Sequence, residues 1–395
     1  MRSFTTWFAT AFLAALTACN SPHTVELGEP VTLELPARMA TGPRLSERPD
    51  GGLVLSWMAQ SDDGGVLRYA AIAEGQLGPT RDVANDERMF VNWADLPSVL
   101  QVEGNYWLAH WLRYSADTTY SYDVVVSQSF DDGATWSEPI LAHEDGTPTE
   151  HGFVSMFRAS DGVTLLWLDG RNTPDAPMTL RSAVITPGGE RQREQLVDAS
   201  VCDCCQTDIA ISSKGPIAVY RDRTPDEVRD IYITRYSDGK WEPGTRLYAD
   251  DWNIAGCPVN GPSIAADGDD VAVAWFSAAN DAPVVRVRLS NNGGRTFGTP
   301  IEISAGRIAG YVGLTFIENG TLAVSWVARS TSGANKLRVR LVSMDGVPGE
   351  TREVADIQQI RVFPQLGYQN DHLFLFWTDQ AGNERQLRGV RVPVT

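Results

Sequence analysis

The sequence predicts an all-β fold, a seven-bladed β-propeller whose last blade is completed by a strand from the N-terminal end. Three observations predict it: a composition rich in turn formers, a repeated strand pattern, and an apolar segment ahead of the first repeat. The 395 residues include 35 Gly, 22 Pro and 12 Trp, which is typical of many short strands joined by tight turns. Hydrophobic residues make up 43% and charged residues 21%, so a disordered chain is excluded.

An apolar strand that ends in an aromatic residue recurs seven times along the chain. The aromatic residues are Trp57, Trp111, Trp167, Tyr220, Trp275, Trp326 and Trp377. Their spacings are 54, 56, 53, 55, 51 and 51 residues, with a shorter apolar stretch before each strand and alternating strands after it. About four strands per repeat at this period are typical of the blades of a β-propeller.

The two ends of the chain are predicted to close the ring together. After Trp377 only one clear strand pair remains, in residues 386–395, whereas residues 31–35 (Val-Thr-Leu-Glu-Leu) can supply the missing outer strand. Closure is favoured because a linear array of sheets would leave two apolar end faces uncovered. A six-bladed ring with one irregular insertion is the alternative.

The first residues are predicted to be a targeting segment. Arg2 is followed by an apolar run over residues 7–16, shorter than the ~20 residues that a membrane-spanning helix needs. The motif Leu-Thr-Ala-Cys that ends at Cys19 resembles a bacterial lipobox, which implies removal of residues 1–18 and lipidation of the Cys19 thiol. An ordinary cleaved signal that leaves Cys19 free is the alternative. Because Asn20 replaces the Asp that favours inner-membrane retention, we expect an outer-membrane lipoprotein facing the periplasm or the exterior.

The rest of the chain is predicted to be a short tether, residues 19–24, and a single monomeric domain, residues 25–395. Lys and Arg together number 33 against 50 Asp and Glu, a net charge of −17. Nucleic acid and anionic lipid surfaces are therefore excluded as partners of the domain, because its overall field repels polyanions.

Two turns carry a resemblance to a known family. Residues 129–136 match the pattern Ser-x-Asp-x-Gly-x-Thr-Trp at every fixed position, and residues 290–297 match it with Asn for Asp and Phe for Trp. The matched residues are Ser129, Asp131, Gly133, Thr135, Trp136, Ser290, Asn292, Gly294, Thr296 and Phe297. With the blade period, the chain is similar to the sialidase-like (Asp-box, BNR-repeat) propellers. The resemblance implies structural turns on the face away from the active site, in which the Asp or Asn side chain hydrogen-bonds its own backbone.

Propeller geometry places the candidate chemistry on one face. The loops that enter each innermost strand and those that leave each second strand emerge together, and functional residues concentrate on such loops. These loops carry a local concentration of arginines, which bind carboxylates bidentately. The candidate ligand-binding residues are Arg44, Asp169, Arg171, Asp222, Arg223 and Arg361. The alternative for Asp169–Arg171 and Asp222–Arg223 is that they are ion pairs bracing their loops.

The resemblance implies further roles on this face. Sialidases bind the sugar carboxylate with arginines and use a Tyr nucleophile and an Asp acid. By position Tyr311 is the candidate nucleophile, and Asp62 or Asp63 is the candidate acid. The expected function is binding of an acidic glycan or another carboxylate, and the alternative is exo-α-sialidase activity.

Four further cysteines fall in two consecutive loops on the same face, and they are Cys202, Cys204, Cys205 and Cys257. In an oxidising envelope disulfides are expected, with three pairings open. A soft-metal site is the competing hypothesis, because thiolates bind Cu(I) and Zn, with His151 as an extra ligand. A redox-active dithiol is the third. The segments Cys-Asp-Cys-Cys-Gln-Thr, Gly-Cys-Pro-Val-Asn-Gly-Pro and Tyr-Arg-Asp-Arg also resemble a bacterial envelope subgroup, which implies that the cysteine and arginine loops form one site.

Overall fold

The chain forms a ring of seven antiparallel sheets around a central channel. The computed structural model describes residues 25–35, 40–61, 64–382 and 384–395, with the backbone alone for Ala381. The predicted seven-bladed propeller is confirmed, and the six-bladed alternative is wrong. The predicted targeting segment, the tether and Cys19 lie outside the described residues.

The strands follow one another from the channel to the rim within each blade. The N-terminal strand and the first two blades contain β1 (Val31–Thr32), β2 (Ala40–Glu47), β3 (Leu53–Ser61), β4 (Gly64–Ala73), β5 (Gln76–Leu77), β6 (Arg81–Asp86), β7 (Ser98–Glu103), β8 (Tyr106–Tyr114), β9 (Tyr122–Ser129) and β10 (Ile140–Leu141). Blades three and four contain β11 (His151–Ala159), β12 (Gly162–Asp169), β13 (Thr179–Ile185), β14 (Arg191–Asp198), β15 (Asp208–Ser212), β16 (Gly215–Arg221), β17 (Ile231–Ser237), β18 (Lys240–Trp241) and β19 (Thr245–Arg246).

The remaining blades are built in the same way. Blades five to seven contain β20 (Ser263–Asp267), β21 (Asp270–Ser277), β22 (Val284–Ser290), β23 (Ile301–Ala305), β24 (Ile308–Phe316), β25 (Leu322–Ala328), β26 (Asn335–Val342), β27 (Pro348–Ile357), β28 (Gln365–Gln369), β29 (His372–Ala381) and β30 (Glu384–Pro393). Two 3₁₀ turns, Ala279–Asp281 and Glu318–Gly320, accompany them. Within the described part of the chain, no helix is long and apolar enough to cross a membrane.

The second strand of each blade forms the core. All eight residues of β12 are buried, because this strand lies between the sheets of its two neighbours and meets apolar side chains on both faces. The aromatic residues of the repeat lie at these interfaces, and Trp167, Trp275 and Trp326 are 0% exposed. Burial of each such side chain contributes roughly 1.5–3 kcal/mol or more, so the repeat pattern is a direct signature of interblade packing.

The N-terminal strand closes the ring, as the sequence predicts. Strand β1 pairs antiparallel with β30, with Val31 opposite Arg391 and Thr32 opposite Val390. The pairing continues toward the two ends of the described chain, where the backbone groups of Glu26 and Thr395 exchange two hydrogen bonds of 2.9 and 3.0 Å. The seventh blade therefore combines both ends of the described chain.

The two faces of the ring differ in the loops that they carry. We call the face on which the innermost strands begin the upper face; because neighbouring strands are antiparallel, the second strands end there too. The predicted Asp-box turns follow third strands and lie on the opposite, lower face. In one of them the Asp131 carboxylate accepts hydrogen bonds from the N–H and Oγ1 of Thr135 (2.9 and 2.6 Å), and Ser129 Oγ accepts the N–H of Gly133 (2.9 Å). These turns serve their own backbone, which is the structural role expected from the resemblance.

Candidate functional site on the upper face

The cysteines meet at one point of the upper face. A disulfide joins Cys204, in the loop before β15, to Cys257, in the loop before β20, with their Cα atoms 6.1 Å apart. Cys202 and Cys205 lie beneath it as buried thiols, without a disulfide to any described residue. The Sγ atoms of Cys202, Cys204 and Cys205 lie within 4.8 Å of one another. We call these four residues the cysteine cluster; the sequence predicted that they converge and left the pairing open.

Arginine and acid side chains surround the two thiols. Arg229 Nη1 donates to Cys202 Sγ at 3.5 Å. Burial raises the pKa of Cys202, but hydrogen bonds from the Cys205 thiol and the Cys204 N–H, together with the charges of Arg221 and Arg229, outweigh it and lower the pKa to about 7. Burial, followed by the hydrogen bond to Cys202, raises the pKa of Cys205 well above its ordinary value. One thiolate stabilised by a neighbouring thiol and by arginines is a reactive arrangement.

Arg223 belongs to the same region, as the sequence predicts. Its guanidinium bonds Asp203, which stands between two of the cysteines, at 3.1 Å, and Glu227 at 2.7 Å. Glu227 also bonds Arg229 at 2.8 Å. Arg223 is therefore held by two carboxylates and braces the cysteine loop.

The suggested ion pair between Asp222 and Arg223 is wrong. Among the described residues, Arg223 pairs with Asp203 and Glu227 instead. Asp222 is buried instead beside Asp198. Burial, followed by repulsion from Asp198, raises the pKa of Asp222 to about 7. Asp222 therefore exchanges a proton near neutral pH rather than holding an arginine.

The Asp169–Arg171 pair is a buried ion pair. Arg171 Nε lies 2.7 Å from Asp169 Oδ1, and the Asp169 side chain is 0% exposed. Trp167 Nε1 donates to the same carboxylate at 2.8 Å, and Arg171 also bonds Glu194 at 2.8 Å and lies 3.4 Å from Asp145. Because three carboxylates already hold the Arg171 guanidinium, the pair braces its loop.

His151 lies in a separate cluster from the sulfur atoms, so the suggestion that it extends a thiolate metal site is wrong. Its ring stacks on His143 with centroids 3.8 Å apart, and its Nε2 lies 3.2 Å from Asp145 Oδ2. Burial lowers the pKa of His151, but the hydrogen bond to Asp145 and the charge of Asp169 outweigh it, so the pKa is raised. His151 thus belongs to a buried network of acids and histidines between blades two and three.

Arg44 lies inside the channel rather than on the rim. Its Nη2 is 3.4 Å from Asp208 Oδ1, which belongs to the innermost strand of blade four. Both residues line a channel cavity of ≈ 850 Å³ that reaches the lower-face turns. Burial raises the pKa of Asp208, while the charge of Arg44 opposes the shift.

Tyr311 lines the same channel and has an unusual backbone. Its φ is +55°, and its N–H donates to the side-chain oxygen of Asn260 at 2.7 Å. Gly310 precedes it with φ +90°, where a Cβ would collide with Asn260 Oδ1 and Phe276. Left-handed backbone at a tyrosine is strained and concentrates at functional sites. Burial raises the pKa of Tyr311, and Arg361 and Arg329 oppose the shift.

Blade three also contains a left-handed residue whose N–H is bound by a side chain of the preceding blade. Phe153 has φ +54°, and its N–H donates to both carboxylate oxygens of Asp95 at 2.8 Å. Sequence reasoning missed Asp95 and Asn260, although a signal was present. Both stand three residues before an innermost strand, in the segments Asp-Leu-Pro-Ser and Asn-Gly-Pro-Ser.

An open cleft lies between blades seven, one and two on the upper face. Its volume is ≈ 400 Å³, and we call it the rim cleft; it is lined by Thr41, Pro43, Trp93, Leu96, Gln359, Arg361, Val362, Phe363, Thr378, Gln380 and Arg385. The guanidinium of Arg361 lies 5.7 Å from the ring centroid of Trp93, and Trp93 stacks on Phe363 at 5.5 Å. Leu96 and Phe363 line both cavities and so form the wall between the rim cleft and the channel.

Four exposed arginines on the upper face of blades six and seven make no ion pair with any described residue. We call them the rim arginines, and they are Arg307, Arg329, Arg361 and Arg385. All four are exposed; Arg307, Arg329 and Arg361 lie on loops of blades six and seven, Arg385 lies at the start of β30, and Arg361 and Arg385 line the rim cleft. In blades three and four, by contrast, Arg171, Arg223 and Arg229 are engaged by carboxylates, and Arg221 is engaged by backbone carbonyl oxygens. Of the ligand-binding arginines predicted from the sequence, Arg361 alone lies in this group.

The predicted acids Asp62 and Asp63 lie outside the described residues. No described carboxylate hydrogen-bonds the Tyr311 hydroxyl. The nucleophile and acid assignments therefore stay predictions.

Comparisons with known proteins identify the fold. A scan against protein-family models finds no match, and neither does a search of curated proteins. Among solved structures, the chain is similar to the α-L-arabinofuranosidase Arb93A of Fusarium graminearum, with a TM-score of 0.51 and 12% identity over 93% of this chain and 98% of that one. The polysaccharide lyase Uly1 gives a TM-score of 0.52 and 10% identity over 89% and 90%.

A third structure agrees with these two. The α-L-arabinanase of Penicillium chrysogenum complexed with arabinobiose gives a TM-score of 0.50 and 14% identity over 82% of this chain and 99% of that one. At such identities the likeness shows the propeller fold alone. The fold is thus one that carbohydrate-active enzymes use, and the sialidase-like assignment stays a prediction.

Proposed function

We propose that the protein binds an acidic glycan in the rim cleft. The observation that carries the proposal is the half-buried ring of Trp93 beside Arg361 and Arg385, two exposed arginines of the cleft that pair with no described carboxylate. In a chain of net charge −17, exposed guanidinium groups that line a cleft without an acid partner favour an anionic ligand.

The cleft chemistry suits a sugar acid. Arg361 and Arg385 present planar donor groups that match a carboxylate, while Trp93 offers an apolar ring to the C–H face of a sugar. Thr378 and Gln380 add hydrogen-bonding groups to the same wall. A volume of ≈ 400 Å³ is in the range of small-ligand sites. The solved structures with this fold support a carbohydrate, since their names describe carbohydrate-active proteins.

The proposal is tested by calorimetry with uronate- and sialate-bearing oligosaccharides against neutral ones of equal length. We expect binding of the acidic set alone, with at least about tenfold weaker affinity in Arg361→Ala, Arg385→Ala and Trp93→Ala. Arg295→Ala is the matched control, because Arg295 is exposed on the lower face and makes no ion pair with a described residue. Equal binding of neutral and acidic sugars, or equal loss in the control, would reject the proposal.

Turnover of the bound glycan is the second candidate function. It is favoured by the strained Tyr311 beneath the cleft wall, close to Arg329 and Arg361, and by the enzyme names of the similar structures. Release of product from an acidic glycoside or polysaccharide, abolished in Tyr311→Phe, would support it. Absence of product over a panel that includes sialosides and uronates would reject it.

We further propose that the domain is held at the bacterial envelope through a lipid on Cys19. The Leu-Thr-Ala-Cys motif supports this placement. Expression with labelled palmitate should label the chain and move it to the outer-membrane fraction, whereas Cys19→Ala should be unlabelled and soluble in the periplasm. An unlabelled parent chain contradicts the placement.

A further inference from the structure

The cysteine cluster has the layered arrangement of an exchange site. Cys257 is exposed and Cys204 half-buried, while Cys202 and Cys205 beneath them are 0% and 1% exposed. We propose that the cluster carries out thiol–disulfide exchange, in which Cys202 attacks the Cys204–Cys257 disulfide and Cys205 resolves the product. This inference is independent of glycan binding.

Cys202 is placed as the attacking group. Its Sγ is within 4.8 Å of Cys204 Sγ and accepts a hydrogen bond of 3.5 Å from Arg229. Arg229 is fixed, because its side chain is 3% exposed and two of its nitrogens bond Glu227 Oε2 at 3.2 and 2.8 Å. The lowered pKa of Cys202 agrees with this geometry, since the thiolate is the attacking species.

Exchange within the cluster needs no external oxidant. The Cys202 thiolate forms a bond to Cys204 Sγ, the Cys204–Cys257 bond breaks, and Cys257 leaves as a thiolate that takes a proton from water. Cys205 then loses its proton and attacks Cys202 Sγ, and Cys204 leaves as a thiolate and takes up a proton. One disulfide has broken and one has formed, so a Cys202–Cys205 disulfide now lies beneath two thiols.

Because Cys257 is exposed, the external partner of the two product thiols is a dissolved disulfide. Cys257 attacks it, forming a mixed disulfide and releasing one thiol; Cys204 then attacks Cys257 Sγ and releases the second. The chain returns to a Cys204–Cys257 disulfide, now with Cys202–Cys205 also oxidised, and the partner has been reduced by two electrons.

The exchange also reaches the channel. The backbone oxygen of Asn260 accepts two hydrogen bonds from Arg221, whose charge favours the thiolates of Cys202 and Cys205, and the Asn260 side chain accepts the N–H of Tyr311 at 2.7 Å. Breaking the Cys204–Cys257 bond further releases the loop that carries Asn260 from the loop that carries Cys202. The oxidation state of the sulfurs is therefore coupled to the backbone that positions Tyr311.

The test follows Cys257 in the full-length chain with Cys19→Ser, which removes the one thiol outside the cluster. A maleimide is added under native conditions without reductant, and the labelled residue and remaining disulfide are mapped by peptide mass spectrometry. We expect Cys257 to be labelled with time and the trapped disulfide to contain Cys202. The rate should rise about tenfold from pH 6 to pH 8, as the Cys202 thiolate fraction does.

Variants separate the steps. Cys202→Ser should leave Cys257 unlabelled, Cys205→Ser should accumulate a Cys202–Cys204 disulfide, and Cys204→Ser should expose Cys257 at once as a positive control. Arg229→Gln should move the pH midpoint of labelling upward, whereas Arg229→Lys should largely restore it. If maleimide treatment of the parent chain leaves the Cys204–Cys257 disulfide intact and Cys257 unlabelled, the proposal is overturned without any variant. So does a purified chain with four reduced thiols holding stoichiometric copper or zinc.

Discussion

The side-chain oxygen of Asn260 accepts the backbone N–H of Tyr311 at 2.7 Å, so that the loop before blade five fixes a left-handed residue in blade six. Asp95 does the same for Phe153, from blade two to blade three. In blade one the N–H of Gly42 donates a hydrogen bond to Thr378 Oγ1 of blade seven at 3.1 Å. The bulges that shape the channel are therefore held by a neighbouring blade.

Asn260→Ala should destabilise the propeller by ~1–3 kcal/mol, because it leaves the buried N–H of Tyr311 without an acceptor. Urea unfolding followed by tryptophan fluorescence measures the loss. Asn172→Ala is the control, since Asn172 is exposed and its side chain bonds no described residue; it should change stability by less than about 0.5 kcal/mol. Equal stability of the two variants would contradict the role of Asn260.

Asp95→Asn should stabilise the protein at alkaline pH. Burial raises the pKa of Asp95 to about 8, so the folded state holds a proton that the unfolded state releases near its ordinary pKa of about 4. This contribution to stability is full below the unfolded pKa and is lost as the pH rises through about 8. Asparagine keeps a side-chain oxygen that can accept the N–H of Phe153 but carries no charge. Asn260 already has this role in blade five, where its side-chain oxygen accepts the N–H of Tyr311.

The measurement is the free energy of unfolding between pH 5 and pH 9. The parent should lose stability over this range relative to Asp95→Asn, by on the order of 1–3 kcal/mol. Asp175→Asn, at an exposed acid without an ion pair to a described residue, should leave the curve unchanged. A variant curve parallel to that of the parent would show that Asp95 does not carry the proton.

Arg171→Ala should destabilise the fold by ~3–5 kcal/mol, because it leaves the Asp169 carboxylate buried without its partner. Arg361→Ala, at an exposed guanidinium, should cost no more than about 1 kcal/mol. The two variants are compared by thermal unfolding. Similar losses of stability in the two variants would mean that Arg171 is not a structural brace. Any loss of ligand binding in Arg171→Ala must therefore be read together with the stability of that variant.

Deletion of residues 25–35 should open the ring. Strand β30 would lose the pairing of Val31 and Thr32 and present an unpaired edge to solvent. We expect a lower unfolding temperature and concentration-dependent self-association, measured by light scattering after size-exclusion chromatography. A monomeric deletion variant with unchanged unfolding temperature would rule out a closing role for the strand.

The fold was predictable because its signal is periodic. The aromatic residue at the end of each second strand is buried between two sheets in every blade, so burial repeats with the blade and is visible along the chain. The closing strand followed from counting strands at the two ends. The meeting of the cysteine loops followed from the ring, because consecutive blades place their upper loops side by side.

The roles of individual arginines were not predictable in the same way. Whether a guanidinium is engaged depends on acids from other strands and loops, as with Arg171 and Glu194 or Arg223 and Asp203, and these acids have no fixed spacing from it. Trp93 and Arg385 escaped notice because the rim cleft forms between loops distant in sequence. His151 was linked to the cysteines by its position in a neighbouring loop, while its side chain turns toward blade two.

The closing strand also sets the orientation of the molecule. Residue 25 leaves the ring beside Thr395 and the turn at Asp371, on the lower face. If a lipid on Cys19 holds the chain, as proposed above, the attachment lies on the side of the lower face and the rim arginines lie on the opposite face. With that attachment, a large polymer would reach the rim cleft without being blocked by the membrane.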